Sequence, residues 1–139
     1  MNNSNVRREG GCLCGSVRYS VPFEPLATVV CHCRNCQKQA GSALSVVAVF
    51  PRDELALDGV LTVYEDKGTS GQRVFRRFCG TCGSPVLTDT ERAREQGVIF
   101  VKAGTFDDIS TLRPTTHYWV KRAHPWLTLP DNADLLEQE

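Results

Sequence analysis

No charge of one sign predominates in this chain. Sixteen Lys and Arg residues balance sixteen Asp and Glu, for a formal net charge of zero. A balanced chain lacks the basic footprint of a nucleic-acid or anionic-membrane binder, so neither partner is expected. No apolar run approaches the roughly 18 residues of a membrane span, and the polar start, Met1 to Gly10, has no signal-peptide core. The expected setting is therefore the cytoplasm, where thiols stay reduced and cysteines serve metal sites or catalysis more often than disulfides. Gly-rich phosphate loops, nucleophilic-serine motifs, internal repeats and low-complexity runs are all missing.

What is present reads as short strands between turns. Alternating Val17, Tyr19 and Val21 predict a strand over 12–21, and Leu26 to Cys31 predict another. The β-branched run Ala43 to Phe50 suits a strand buried on both faces and stopped by Pro51. Further strands are expected over 61–65, 72–79, 97–106 and 117–121, with a turn over 66–71. Helix signals are few: one turn over 35–40, and a charged stretch, 89–96, that reads better as a solvated connection. Residues 1–8 and the acidic 131–139 read as tails around a single domain over 9–130. The expected class is mostly β, with strands linked by metal-binding turns.

The seven cysteines fall into three tight groups. Cys12 and Cys14 form C-x-C; Cys31, Cys33 and Cys36 form C-x-C-x-x-C; Cys79 and Cys82 form C-x-x-C. Residues two apart on a strand share a face, so Cys12 with Cys14, and Cys31 with Cys33, can each offer two sulfurs to one metal. Gly80 and Gly83 give the last group the tight turn of a zinc knuckle. A closed structural zinc takes four protein ligands, whereas a catalytic zinc often takes three and keeps one position open. Seven divides naturally into Cys12, Cys14, Cys79 and Cys82 as the four, and Cys31, Cys33 and Cys36 as the three. Spacing alone leaves open a mixed division, or His32 as a further ligand. His32 lies between two ligands on a strand and should point away from them.

These motifs resemble a known family. Gly11-Cys12-Leu13-Cys14-Gly15-Ser16-Val17-Arg18-Tyr19, Cys31-His32-Cys33-Arg34-Asn35-Cys36-Gln37-Lys38 and Phe78-Cys79-Gly80-Thr81-Cys82-Gly83-Ser84-Pro85 are similar to the glutathione-dependent formaldehyde-activating enzymes. The wider group contains the centromere protein V domain. Gly104 to Asp108, and the stretch from His117 to Trp126, share in the likeness, which spans about residues 10–130. The resemblance implies an Mss4-like β-tent of short antiparallel strands stapled by zinc. It implies a structural zinc on Cys12, Cys14, Cys79 and Cys82, and an active-site zinc on Cys31, Cys33 and Cys36 where glutathione engages.

A coordinating thiol is deprotonated, so Zn²⁺ on three cysteines carries a formal charge of −1. Such a centre is a poor water activator and suits a soft sulfur ligand. A substrate thiol taking the open position would become a nucleophile toward formaldehyde, giving S-hydroxymethylglutathione; the reverse is a carbon–sulfur lyase reaction. The alternative is a zinc-stabilised binding module without catalysis. Arg34 and Lys38 can meet a substrate carboxylate, while Arg73, Arg76 and Arg77 read as a solvated strand face. Tyr118, Trp119 and Trp126 read as core, and His117 and His124 as structural groups. Metal analysis of fully loaded protein should return two zinc ions per chain. Mass spectrometry should find every cysteine reduced; zinc-free protein with intact disulfides would overturn the division.

Overall fold

Short β-branched segments punctuated by glycine and proline favour strands over helices. The computed structural model describes residues 6–137, which form two sheets. Strands β1 (Arg7–Gly11), β2 (Arg18–Pro22) and β5 (Ala56–Asp58) make a three-stranded antiparallel sheet in the order β1-β2-β5. The larger sheet takes β3 (Ala27–Cys31), β4 (Ser45–Pro51), β6 (Leu61–Lys67), β7 (Arg73–Cys79), β8 (Pro85–Thr90) and β9 (Val98–Lys102). With β10 (Thr116–Tyr118) and β11 (Asp134–Leu135) it has eight strands, in the order β11-β10-β3-β4-β9-β8-β7-β6. Its pairings are antiparallel except that β10 runs parallel to both β3 and β11.

Strand alternation assigns the two faces of this sheet. Ala48 opposes Val101 and Phe50 opposes Ile99, so these four side chains share one face, and all are buried. They form the core with Val17, Tyr19 and Val21. Phe106 closes it, with its ring centroid 6.1 Å from those of Tyr19 and Phe50. Strand β1 approaches closely because Gly10 has no side chain: a Cβ there would overlap the Tyr19 hydroxyl and the Thr105 carbonyl. The opposite face carries Cys31 and Ser45, which oppose each other, and Val47 opposite Lys102. That face is only half-covered, since Val47, Val49 and Phe100 are of intermediate exposure.

Several expectations need correction. The strand expected over 12–21 begins only at Arg18, and Cys12 to Val17 is a tight turn. Its cause is Gly15 at φ +82°, whose amide bonds the Cys12 carbonyl at 3.2 Å. Arg7 and Arg8 belong to β1, not to a tail. The Arg8 guanidinium lies 4.7 Å from the Phe23 ring centroid and 4.9 Å from that of Phe106, and it donates to the Phe23 carbonyl and the Thr111 hydroxyl. At the other end β11 pairs with β10 inside the segment read as an acidic tail. Residues 1–5 and 138–139 of the two expected tails lie outside the described residues.

The connection expected over 89–96 is mostly a helix, α2 (Glu91–Gln96). The Thr90 hydroxyl accepts from the Ala93 amide at its start, and Gly97 in the left-handed region ends it. Asp89 is fully buried and forms ion pairs with Arg52, Arg77 and Arg94. The other expected turn becomes a seven-residue helix, α1 (Arg34–Ala40), capped at its start by the Cys33 sulfur and closed by Gly41. Among the described residues no helix is long and apolar enough to cross a membrane. Phe50→Ala should cost about 3–5 kcal/mol, because it empties a fully buried ring site. A chemical-denaturation midpoint close to wild type would show that the two sheets do not pack through this residue.

Candidate metal centres

The first cluster is built from two turns. In one, Gly15 turns the chain after Cys14; in the other, Gly83 at φ +81° turns it after Cys82, with its amide bonded to the Cys79 carbonyl at 2.8 Å. The turns bring Cys12, Cys14, Cys79 and Cys82 together, with one sulfur from each lying within 4.8 Å of all the others. The Cys12 and Cys14 sulfurs are 3.6 Å apart, and those of Cys14 and Cys79 are 3.7 Å apart. A tetrahedron with metal–sulfur bonds of about 2.3 Å has edges of about 3.8 Å, so the sulfurs fit a closed zinc site. All seven cysteines are free of disulfides.

Polar neighbours prepare two of these sulfurs, those of Cys79 and Cys82, for the thiolate form. Cys79 accepts from the amides of Thr81 at 3.4 Å and Cys82 at 3.5 Å, and the Ser16 hydroxyl stands 3.3 Å away. The Ser16 contact, followed by the two amides, brings the Cys79 thiol down to about 7. Ser84 does the same for Cys82, which falls to about 5. Ser84 also accepts from the Leu13 amide at 3.0 Å, linking the two turns directly.

The second cluster, Cys31, Cys33 and Cys36, spans the end of β3 and the start of α1. Its three sulfurs also lie within 4.8 Å of one another, but they number one fewer than a closed site requires. The nearness of Cys31, and then of Cys36, brings the Cys33 thiol down to about 2, while the same nearness of Cys33 pushes Cys31 up. The Cys36 amide donates to the Cys33 sulfur at 3.4 Å as the helix cap.

Two cations stand beside the three sulfurs. Both terminal nitrogens of Arg76 lie 3.9 Å from the Cys36 sulfur, and Arg76 Nε donates to Asp66 at 3.1 Å. Arg76 is 4% exposed, which corrects its reading as part of a solvated face; Arg73 remains open to water. Lys102 is 6% exposed and donates to the Ser45 hydroxyl. Register puts all of these groups on one side of the sheet. Cys31 opposes Ser45, Arg76 opposes Thr88, and Thr88 opposes Phe100, two residues before Lys102. Asp66 opposes Val74, two residues before Arg76.

A family model for the glutathione-dependent formaldehyde-activating enzymes matches residues 7–122. The chain belongs to that family. A Rhodobacter sphaeroides structural-genomics protein of solved structure is similar to this chain, at 24% identity and TM-score 0.56. The likeness covers 74% of this chain and 91% of that one, and it bears on the fold alone. No curated protein matches the chain. The short strands in two sheets bear out the mostly β class, and the two sulfur clusters are compatible with a zinc staple.

Other expected residues sort differently. His32 points away from the sulfurs, fully buried, and its Nε2 lies 3.0 Å from His117 Nδ1. Burial lowers both imidazoles from their ordinary value and so favours the neutral rings. Trp126 is 68% exposed, so it is not core. Its indole N–H can only donate, and it does so to His124 Nδ1 at 3.1 Å; His124 therefore carries its proton on Nε2 and donates to Gln37 Oε1 at 2.8 Å. Gln37 passes the link on to the carbonyls of His32 and Arg122. Arg34 turns onto Gln37, while Lys38 is exposed.

Sequence reasoning missed Ser16, Ser84, Ser45 and Lys102. The signal for the first two was present as a repeated Cys-Gly-Ser, at 14–16 and 82–84. Cys79→Ser should remove at least about 3 kcal/mol of stability, on the order of 10 °C in Tm, because it opens a clip between distant segments. Cys36→Ser should melt within about 3 °C of wild type. Equal melting of the two variants would show that the clusters share one role.

Proposed function

We propose that this protein is a zinc-dependent carbon–sulfur lyase acting on a glutathione-type thiol adduct, such as S-hydroxymethylglutathione formed from glutathione and formaldehyde. The carrying observation is the inequality of the two cysteine clusters: one has four sulfurs set between two turns, the other three sulfurs on a half-covered sheet face beside buried cations. The donor sets suit zinc at both places, since grouped thiols without carboxylates select a soft, tetrahedral ion. On this reading Cys12, Cys14, Cys79 and Cys82 hold a structural ion. Cys31, Cys33 and Cys36 hold a catalytic one, and the protein works in a reducing cytoplasm. Zinc on three thiolates supplies one soft position at which a substrate thiol ionises.

The chain's own groups shape what happens there. Arg76, held in place by Asp66, faces the Cys36 sulfur and offsets negative charge gathered on that side. Cys33 caps α1, so the helix fixes the spacing between the second and third sulfurs. Gln37, one residue beyond Cys36, is tied to the late segment through His124 and Arg122 and holds the start of α1 rigid. Family membership supplies the glutathione-related thiol as the substrate class.

Calorimetry on zinc-loaded protein tests the reading. Glutathione should bind with release of one proton, measured across buffers of different ionisation enthalpy, because a thiol must ionise to coordinate. S-Methylglutathione should bind at least about tenfold more weakly, a difference of about 1.4 kcal/mol or more. Equal affinities with no proton released would rule out thiol capture at the three-cysteine site.

A further inference from the structure

A buried ammonium needs an anion, or oxygen acceptors for all three of its N–H bonds. Lys102, at 6% exposure, has the Ser45 hydroxyl as its hydrogen-bond partner, and among the described residues no carboxylate pairs with it. The charged and titratable groups that face it are Cys31 from β3, Cys36 from α1 and Arg76 from β7, with Asp66 of β6 behind Arg76. Asp66 and Arg76 neutralise one another. Lys102 is thus the cation of this face that no carboxylate offsets, and Ser45 aims it from the position directly opposite Cys31. Burial pulls its ammonium below the ordinary lysine value, which makes its proton easier to give up.

We propose that Lys102 is a catalytic residue that binds the carbonyl-derived oxygen of the adduct and exchanges a proton with it. This inference rests on the thiol-adduct reading above. In the forming direction the substrate sulfur bonds to the formaldehyde carbon, and the C=O π pair moves onto oxygen. That oxygen takes a proton from Lys102 Nζ. The amine is reprotonated from water, which matches the proton the thiol released on binding. In the breaking direction neutral Lys102 removes the hydroxyl proton, the C=O bond re-forms, and the C–S pair returns to sulfur. An adduct oxygen sits only one carbon away from its sulfur. A donor on the same sheet face as Cys31 is therefore suitably placed, and a donor on the core face would not be.

The experiment compares zinc-loaded wild type, Lys102→Met and Lys102→Arg. It measures zinc content, glutathione affinity by calorimetry, and the exchange rate between glutathione and S-hydroxymethylglutathione by NMR in formaldehyde solution. Lys102→Met should keep its zinc and bind glutathione within about threefold of wild type, yet exchange at least about 100-fold more slowly. Lys102→Arg keeps the charge but not the transferable proton, and it should still lose at least about tenfold. It carries the test if the methionine variant fails to fold. Exchange at wild-type rate in either folded variant overturns the inference and leaves the thiol-adduct reading standing. Loss of zinc from the methionine variant also overturns it, by making Lys102 a counter-ion to the cysteines. A wild type that neither binds glutathione nor speeds exchange overturns the reading itself, and the inference with it.

Discussion

Four sulfurs draw together two turns that lie 65 residues apart, and the rest of the architecture depends on that join. Cys12 and Cys14 follow β1 and precede β2, the heart of the smaller sheet. Cys79 and Cys82 lie between β7 and β8 of the larger one. The cluster is therefore the covalent-scale link between the layers whose inner faces supply Val17, Tyr19, Val21, Ala48 and Phe50 to the core. A domain of this size has a modest apolar core, and a metal held by these four sulfurs would supply stability that burial alone would have to find elsewhere. The serine hydroxyls at 16 and 84 and the amides at 81 and 82 surround its sulfurs, so the thiolates are solvated by the protein itself.

The three-cysteine cluster is supported differently. Its sulfurs are carried by one strand end and one helix start, so they need no distant segment to assemble. What comes from far away is charge: Arg76 from β7 and Lys102 from β9. They arrive through sheet register, since alternate residues on neighbouring strands stay on one face across the whole row from β3 to β6. A slip of one residue in β7 would turn Arg76 toward the core and Phe75 toward the sulfurs. Buried cations beside grouped thiols are costly unless something negative compensates them, which is why metal, sulfur and cation are best understood as one electrostatic unit.

Much of the fold and the site was legible in the sequence because cysteine spacing is a local signal. The three groups and most central strands follow from periods of two and from short gaps between ligands. β8 carried no such signal, and the four-and-three division, left open by spacing, comes from the fold bringing Cys12 and Cys14 to Cys79 and Cys82. The failures share a cause. Arg76 reads as surface because a charge within RVFRR is ordinarily solvated; only the pairing that brings Asp66 and Cys36 to it reveals otherwise. Lys102 lies in an apolar run, GVIFVKAG, where a lone lysine hints at burial but names no partner. The strand geometry assumed for Cys12 and Cys14 failed because Gly15 turns the chain there, so a turn does the work that alternation was given. β1 was missed because Arg7 and Arg8 make its start look like a polar tail, whereas Arg8 buries its guanidinium between two rings.

The charge balance of the open face also bears on what it can accept. Asp66 and Arg76 form a neutral pair, and three thiolates with one divalent ion would carry a formal −1 against the +1 of Lys102. A neutral aldehyde and a thiol that sheds its proton add one negative charge, which moves between sulfur and oxygen as the C–S bond forms or breaks. A single mobile cation donor facing both atoms suits that movement. A permanently anionic oxygen ligand would instead face three thiolates at close range, with Arg76 already held by Asp66. On the proposed reading the site serves less to bind charge than to let one charge change atoms, which would separate a lyase centre from a metal staple built of the same residues.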